Sequence, residues 1–293
     1  MRALIDRVVR VLGVNSGAAT GGLLRRAPAL LIAFSLILAA CGNGSSGDLL
    51  AKIQSAAKLR VGTDSAYPPQ SERLPDGTFR GFDVDVSNEI GKRLGVSVEF
   101  ITPDFSTVVA GGWGDKYDIS VGSVAITKPR QAVLDFTNPY YYTPAQMSAT
   151  KASGITTLDG MAGKTVCVSD SSANQSWLAG TLMIVGSVPA PVPAGIKVVV
   201  VSEDSKCIGR TDIDGWVADA PVIAHAITQG APFVTVGAPV FYGALALATD
   251  KAAMPHTELL AELNKIVQAM HDDGTLTKLS KKWFEGLDLS KNK

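Results

Sequence analysis

Cysteine and histidine are scarce in this chain of 293 residues, which contains three of each. His225, His256 and His271 stand at no metal-ligand spacing, and no nucleophile, base and orienting acid can be assembled from the sequence. The sequence "AGKT" (162–165) lacks the first glycine of a phosphate loop, and "DIDG" (212–215) lacks the other ligands of a calcium loop. We therefore expect no metal, no cofactor and no enzyme activity.

The N-terminal region lacks an apolar run of the roughly 20 residues that span a bilayer. Its apolar run follows Arg25 and Arg26 and covers only residues 27–38. The last residue of the run opens the sequence "LAAC" (38–41). This order is typical of a signal peptide, which we assign to residues 1–40. The ending resembles a bacterial lipobox, which implies cleavage before Cys41 and lipidation of that cysteine. A transmembrane anchor is the alternative, and the short run disfavours it.

The chain has no excess of charge of one sign, with 27 Lys and Arg residues against 27 Asp and Glu residues. Loss of residues 1–40 would remove five arginines and one aspartate and leave a net charge of −4. This balance gives no electrostatic reason to bind nucleic acid, so we expect no nucleic-acid partner.

The segment after Cys41 indicates a membrane-anchored protein in the cell envelope. Because "GNGSSGD" (42–48) has the composition of a flexible tether, we predict that residues 41–57 are the lipidated cysteine and tether. The lipid would attach the chain to the outer face of the cytoplasmic membrane, on its periplasmic or extracellular side. That compartment is oxidising, which favours a disulfide between Cys167 and Cys207. Two separate buried thiols are the alternative, because the sequence does not give the Cα separation of about 4.4–6.8 Å that a bridge needs.

Strand-like apolar runs alternate with segments of helical period, which is typical of parallel sheets with crossover helices. One series begins at "KLRVGTD" (58–64), and the pattern restarts at "KTVCVS" (164–169). We predict an α/β fold with lobe I in residues 58–143, lobe II in 144–238, and a return to lobe I with C-terminal helices in 239–293. Ligands in such folds bind beyond the carboxyl ends of strands, where Asp64, Ser123 and Asp219 fall.

Six segments resemble, in order, the solute-binding proteins of polar amino-acid ABC importers, which have the type II periplasmic-binding fold. They are "LRVGTDSAYPP", "GFDVDVSNEIGKRLGVSVEF", "YDISVGSVAITKPRQAVLDFTNPYYYTPAQ", "LDGMAGKTVCVS", "DGWVADAP" and "DGTLTKLSKKWF". The resemblance implies two lobes joined by two hinge crossover segments, with a ligand cleft between them. It also implies a small-molecule ligand, such as an amino acid or related zwitterion, and an ABC permease as partner. We expect a monomer.

The resemblance assigns roles to five side chains. Arg130 in "ITKPR" would receive the ligand α-carboxylate in a bidentate pair, and Asp219 in "VADAP" would accept from the α-ammonium. Tyr67 and Phe105 match the aromatic positions that sandwich the ligand side chain. Asp64 matches a lobe I carboxylate near the far end of that side chain.

Two backbone segments complete the predicted site. The loop with Ser171, Ser172 and Ala173 matches the place where N–H groups at a helix start meet the ligand carboxylate. Ser123 and Ala125 lie on the strand before the arginine. Ala125 departs from the family, which usually has Thr or Ser there to bind the α-ammonium, so one acceptor is missing.

The departures also bear on the choice of ligand. Gln70 replaces a frequent Phe after "YPP", and we expect its polar group near the mouth of the cleft. The loop "SDSSAN" carries no cation, so an acidic side chain would meet Asp64 and Asp170 alone. Polar uncharged or cationic ligands therefore fit better than acidic ones.

Two other classes of protein stay open. The fold also hosts enzymes such as cyclohexadienyl dehydratases, but the catalytic grouping is missing from this sequence. It also serves as the sensory domain of receptors, but no spanning segment interrupts residues 42–293. A separate signalling protein could still recognise the closed form of the receptor.

Overall fold

The structure is a computed structural model and describes residues 47–292. The predicted signal peptide and Cys41 lie outside the described residues. Within residues 47–292, no helix combines the length and the apolar character needed to cross a membrane.

Helices and strands alternate along the described chain. The α-helices of this part are α1 (Leu49–Ala56), α2 (Phe82–Leu94), α3 (Phe105–Ala110), α4 (Lys128–Val133), α5 (Ala173–Leu178), α6 (Ala220–Thr228), α7 (Thr257–Asp272) and α8 (Thr275–Trp283). The strands are β1 (Lys58–Gly62), β2 (Ala66–Tyr67), β3 (Ser71–Arg73), β4 (Phe79–Arg80), β5 (Ser97–Ile101), β6 (Ile119–Ala125), β7 (Leu134–Thr150), β8 (Thr165–Ser169), β9 (Lys197–Val201), β10 (Gly215–Asp219) and β11 (Phe233–Asp250).

One eight-stranded sheet runs through both lobes in the order β5-β1-β6-β11-β7-β10-β8-β9. The outer strands pair in parallel, β5 and β6 with β1, and β9 and β10 with β8. The long strands β7 and β11 pair antiparallel in the centre. Because β11 pairs with β6 near one end of this central pair and β7 pairs with β10 near the other, the two strands connect the lobes. The predicted boundaries at 143/144 and 238/239 fall inside these two strands.

Helix α2 shows how the sequence builds lobe I. Phe82, Val86 and Ile90 recur on one face and are completely buried, as the helical spacing predicts. The helix begins after Gly81, whose φ of 134° favours glycine. A Cβ at that position would lie 2.2 Å from the carbonyl oxygen of Gln70, so the close approach excludes a side chain.

The predicted disulfide is present in lobe II. Cys167 of β8 is bonded to Cys207, with a Cα–Cα distance of 5.8 Å, and both residues are fully buried. Cys207 ends the 3-10 turn Asp204–Cys207, so the bridge fastens this turn to β8. The indole of Trp216 on β10 also holds the turn, since its Nε1 donates to Asp204 Oδ1 over 2.8 Å.

Residues 181–190, hereafter the 181–190 segment, connect lobe II to the β6–α4 junction and to β11. The N–H of Lys128 donates to the carbonyl of Met183 over 3.0 Å, and the N–H of Val185 donates to that of Ile126 over 3.2 Å. Towards β11, the N–H of Ala190 donates to the carbonyl of Val240 over 2.7 Å. The segment therefore contacts lobe I and a crossover strand directly.

The predicted tether is too long. Within residues 41–57, helix α1 occupies Leu49–Ala56, and its Leu49 and Ile53 belong to the buried core. Asp48 caps the helix by accepting from the N–H of Leu50 over 2.9 Å. The apolar i, i+4 pair, and not the polar composition before it, decides the structure of this stretch.

Candidate ligand-binding cleft

A cavity lies between the lobes at the carboxyl ends of β1, β6, β8, β9 and β10. Nine of the ten predicted ligand residues line it: Asp64, Tyr67, Phe105, Ser123, Ala125, Arg130, Ser172, Ala173 and Asp219. Ser171 is the exception. Its N–H donates to Gln175 Oε1 over 2.6 Å and its carbonyl accepts from Arg130, so both backbone groups are engaged within the protein.

Arg130 lies on α4 and is 7% exposed. Its Nη1 donates to the carbonyl of Ala125 over 2.9 Å in lobe I, and its Nη2 donates to the carbonyl of Ser171 over 3.0 Å in lobe II. The guanidinium carbon stands 5.2 Å from the centre of the Phe105 ring, at a cation–π distance. Burial lowers the pKa of Arg130 to about 10, so the side chain stays cationic at neutral pH. These bonds use two of five N–H donors and leave others for an anion.

Asp219 ends β10 on the opposite side of the cavity and is 9% exposed. Burial raises the pKa of its carboxyl to about 7, and the charge of Asp204 acts in the same direction. Polar contacts from the Tyr67 hydroxyl and the Asn174 amide hold this pKa down, as does the positive charge of Arg130. A bound cation would favour the ionised carboxylate further.

Ser123 is anchored from behind the cavity. Its Oγ donates to Asp83 Oδ2 over 2.7 Å and accepts from the hydroxyl of Tyr141 over 2.6 Å. The hydroxyl of Tyr140 donates to Asp83 Oδ1 over 2.7 Å and accepts from the N–H of Ser123 over 3.1 Å. Burial raises the pKa of Asp83 to about 7, while Tyr140 and Ser123 oppose the shift. The network holds Ser123 in a backbone conformation with a φ of 53°, which is uncommon for a residue other than glycine. Its hydroxyl is bonded to Asp83 and Tyr141 and not directed to a ligand.

The cavity walls are strongly acidic. Asp64, Asp170, Glu203 and Asp204 line it together with Asp219, whereas Arg130 is the one basic side chain among its described lining residues. Burial raises the pKa of Asp64, and the negative charge of Glu203 adds to that effect. Among residues 47–292, no group of three or more His, Cys, Asp or Glu side chains is arranged to hold a metal ion.

Asp204 is the most deeply held of these carboxyls. It is 5% exposed and accepts from Trp216 Nε1 and Ser169 Oγ, each over 2.8 Å. Burial raises its pKa to about 6, and the two donors oppose that shift. These bonds, with the disulfide, fix the turn that begins at Asp204, directly after Glu203, at the cavity.

Sequence reasoning missed five polar residues of the cavity, namely Thr143, Asn174, Ser202, Glu203 and Asp204. Glu203 and Asp204 follow the end of β9, so the strand-end rule that selects Asp64 also selects them. Asn174 lies inside α5 and carries no comparable signal. The expectation for Gln70 is wrong, because this residue is completely buried and does not line the cavity.

Comparison with known proteins agrees with this arrangement. The model of the bacterial extracellular solute-binding proteins, family 3, matches residues 59–286. The chain belongs to this family. It has the two-lobed type II periplasmic-binding fold that the sequence predicts, with β7 and β11 as the crossover segments.

Individual relatives are similar over most of their length. The lysine/arginine/ornithine-binding periplasmic protein of Escherichia coli K12 is 30% identical over 238 residues, which are 78% of this chain and 87% of that protein. The L-cystine-binding protein TcyA of Bacillus subtilis 168 is 30% identical over 283 residues, 90% of this chain and 99% of that protein. The structure of an ancestral arginine-binding protein bound to arginine has a TM-score of 0.68 at 28% identity, covering 78% of this chain and 98% of that one.

Proposed function

We propose that this protein is the extracytoplasmic receptor of an ABC importer and captures a small cationic amino acid. The main support is the composition of the cleft, in which one buried arginine faces five carboxyl side chains. A zwitterionic headgroup needs one cation and one anion from the protein. The surplus of carboxylates then suits a ligand with a second positive charge.

The geometry suggests how such a ligand would lie. Its α-carboxylate would bind the free N–H groups of Arg130 in a charge-assisted pair, and its α-ammonium would approach Asp219. The aliphatic part of the side chain would pass between Tyr67 and Phe105 and bring its distal cation towards Asp64. Each lobe thus supplies one partner for the headgroup.

A ligand that contacts both lobes would stabilise the closed form of the cleft. The ligand shifts the protein towards the closed state only by the difference between its affinities for the closed and open states. Arg130 and Asp219 lie in different lobes, so the complete set of contacts forms only when the cleft is closed. The closed complex would then be delivered to a membrane permease.

The names of the relatives support binding over catalysis. Relatives that share most of the chain are named as binding proteins.

A lipid on Cys41 would keep the receptor, as a monomer, at the outer face of the cytoplasmic membrane. Mass spectrometry of the membrane fraction tests this anchor, and an unmodified Cys41 would exclude it.

A thermal-shift panel tests the proposed ligand class. A ligand at 100 times its dissociation constant adds about 2.7 kcal/mol to the stability of the protein. We expect L-arginine, L-lysine, L-ornithine or L-histidine to raise the melting temperature and L-glutamate to leave it unchanged. Stabilisation by L-glutamate alone, or by no amino acid, would refute the proposal. Chromatography of the recovered ligand separates binding from turnover, because a receptor returns the amino acid unchanged.

A further inference from the structure

Asn174 has an unexplained polar atom at the cleft. The residue is the second of α5, is 4% exposed and lines the cavity. Its Oδ1 is buried and has no hydrogen-bond partner among the described residues. A buried carbonyl without a donor costs about 1–3 kcal/mol, so a donor supplied by a ligand would recover that cost.

The neighbouring carboxylate fixes which atom of the amide is free. Asn174 makes a polar contact with Asp219 that lowers the pKa of this carboxyl, which is the effect of a group that donates to the ionised form. The Nδ2 group, the donor, therefore faces Asp219. This orientation leaves Oδ1 as an acceptor beside the carboxylate that is placed to receive the ligand α-ammonium.

Ala125 lines the same cavity from lobe I and offers no hydroxyl. Its carbonyl is engaged by Arg130 Nη1 over 2.9 Å. An α-ammonium group carries three N–H donors, and the two oxygens of one carboxylate do not satisfy them all. A further acceptor is needed, and the strand residue that would ordinarily supply it cannot.

We propose that Asn174 Oδ1 accepts a hydrogen bond from the ligand α-ammonium and replaces the hydroxyl that is absent at Ala125. The proposal rests on the proposed function and names a positioning and specificity contact of the same site. It moves ammonium recognition into lobe II, where Asp219 and Asn174 both lie. The α-carboxylate stays with Arg130 in lobe I, so only a ligand with both headgroup charges connects the two lobes.

Calorimetry with two probes tests the contact. The probes are L-arginine and 5-guanidinopentanoate, which lacks only the α-ammonium. Because a hydrogen bond to a charged group contributes about 1.5–3 kcal/mol, we expect Asn174→Ala to weaken L-arginine binding by about 10- to 100-fold. We expect the affinity for 5-guanidinopentanoate, however weak in the native protein, to change less than about threefold.

A compensating substitution makes the test specific to the acceptor. Adding Ala125→Ser to the Asn174→Ala variant restores a hydroxyl opposite the lost amide, and we expect it to recover most of the affinity for L-arginine. Ser176→Ala, in the same helix but away from the cavity lining, is the matched control and should bind both probes normally.

The outcomes separate this proposal from the proposed function. Unchanged L-arginine binding by Asn174→Ala overturns the role of Asn174 and leaves the receptor function standing. Equal losses for both probes also overturn it, because they indicate a general disturbance of the cleft. Failure of the native protein to bind any of L-arginine, L-lysine, L-ornithine and L-histidine overturns both proposals together.

Discussion

Replacing Cys167 and Cys207 together with alanine removes the bridge between β8 and the turn Asp204–Cys207. The bridge closes a loop with a sequence separation of 40 residues. The chain-entropy relation gives about 4 kcal/mol for a loop of that length. In a protein of this size the same loss lowers the melting temperature by about 8–16 °C. Alanine avoids placing a buried hydroxyl where the sulfur atoms now pack.

Denaturant unfolding measures the loss, and L-arginine affinity measures its effect on the cleft. The turn keeps the Trp216 and Ser169 bonds to Asp204, so we expect the variant to fold. We expect weaker binding as well, because Glu203 is then less firmly placed. Native protein reduced with dithiothreitol serves as the control and should lose similar stability. A loss below about 1 kcal/mol would refute the view that the bridge constrains the unfolded chain.

The remaining predictions concern the charged groups of the cleft. Arg130→Ala should weaken L-arginine binding at least about 100-fold, because it removes a buried cation that pairs with the ligand. The control is Lys128→Ala, which replaces an exposed side chain on the same helix. Equal affinities of the two variants for L-arginine would contradict the assignment. Affinity should also rise with pH up to about 7. The pKa of Asp219 is about 7 without ligand, so a cationic headgroup must displace a proton below that pH. Calorimetry in buffers of different ionisation enthalpy should detect proton release at pH 6 from the native protein and none from Asp219→Asn. No release from the native protein, or equal release from both proteins, would exclude this linkage.

The raised pKa of Asp219 also makes the stability of the folded protein depend on pH. Asp219 binds its proton more tightly in the folded chain than in the unfolded one, where the pKa is 3.8. This contribution is therefore present in full below about pH 4 and is lost as the pH rises to about 7. Ligand binding and folding thus depend on pH in opposite directions at one carboxyl.

The sequence predicts much of the site because chain order and strand ends are local properties. Asp64 and Asp219 follow apolar runs, so their position at the sheet edge can be derived from the order of residues alone. The environment of Asp83 cannot be derived in this way. Its burial depends on Tyr140 and Ser123, which lie 57 and 40 residues away in the chain. Helical periodicity describes only the apolar face of α2 and does not identify a buried carboxyl beside it.

Ser171 and Asn174, just before and just inside α5, show the same limit. The resemblance places backbone N–H groups at the start of α5, but the side chain of Gln175 takes the N–H of Ser171. A side chain four residues later thus changes which donor is available. Asn174 contacts Asp219, which ends strand β10 more than 40 residues later, and sequence spacing does not predict that contact.

The 181–190 segment has a consequence for the time scale of ligand exchange. Bending of β7 and β11 alone cannot separate the lobes while the segment remains bonded to Ile126, Lys128 and β11. Opening must either slide the segment against lobe II or break backbone hydrogen bonds, each with a net worth of about 0.5–1.5 kcal/mol. We therefore expect the segment to lengthen the residence time of a bound ligand. Stopped-flow dissociation from the variant Val185→Pro/Ala190→Pro, which lacks the N–H groups bonded to Ile126 and Val240, should be faster. An unchanged rate would show that the segment moves with lobe I.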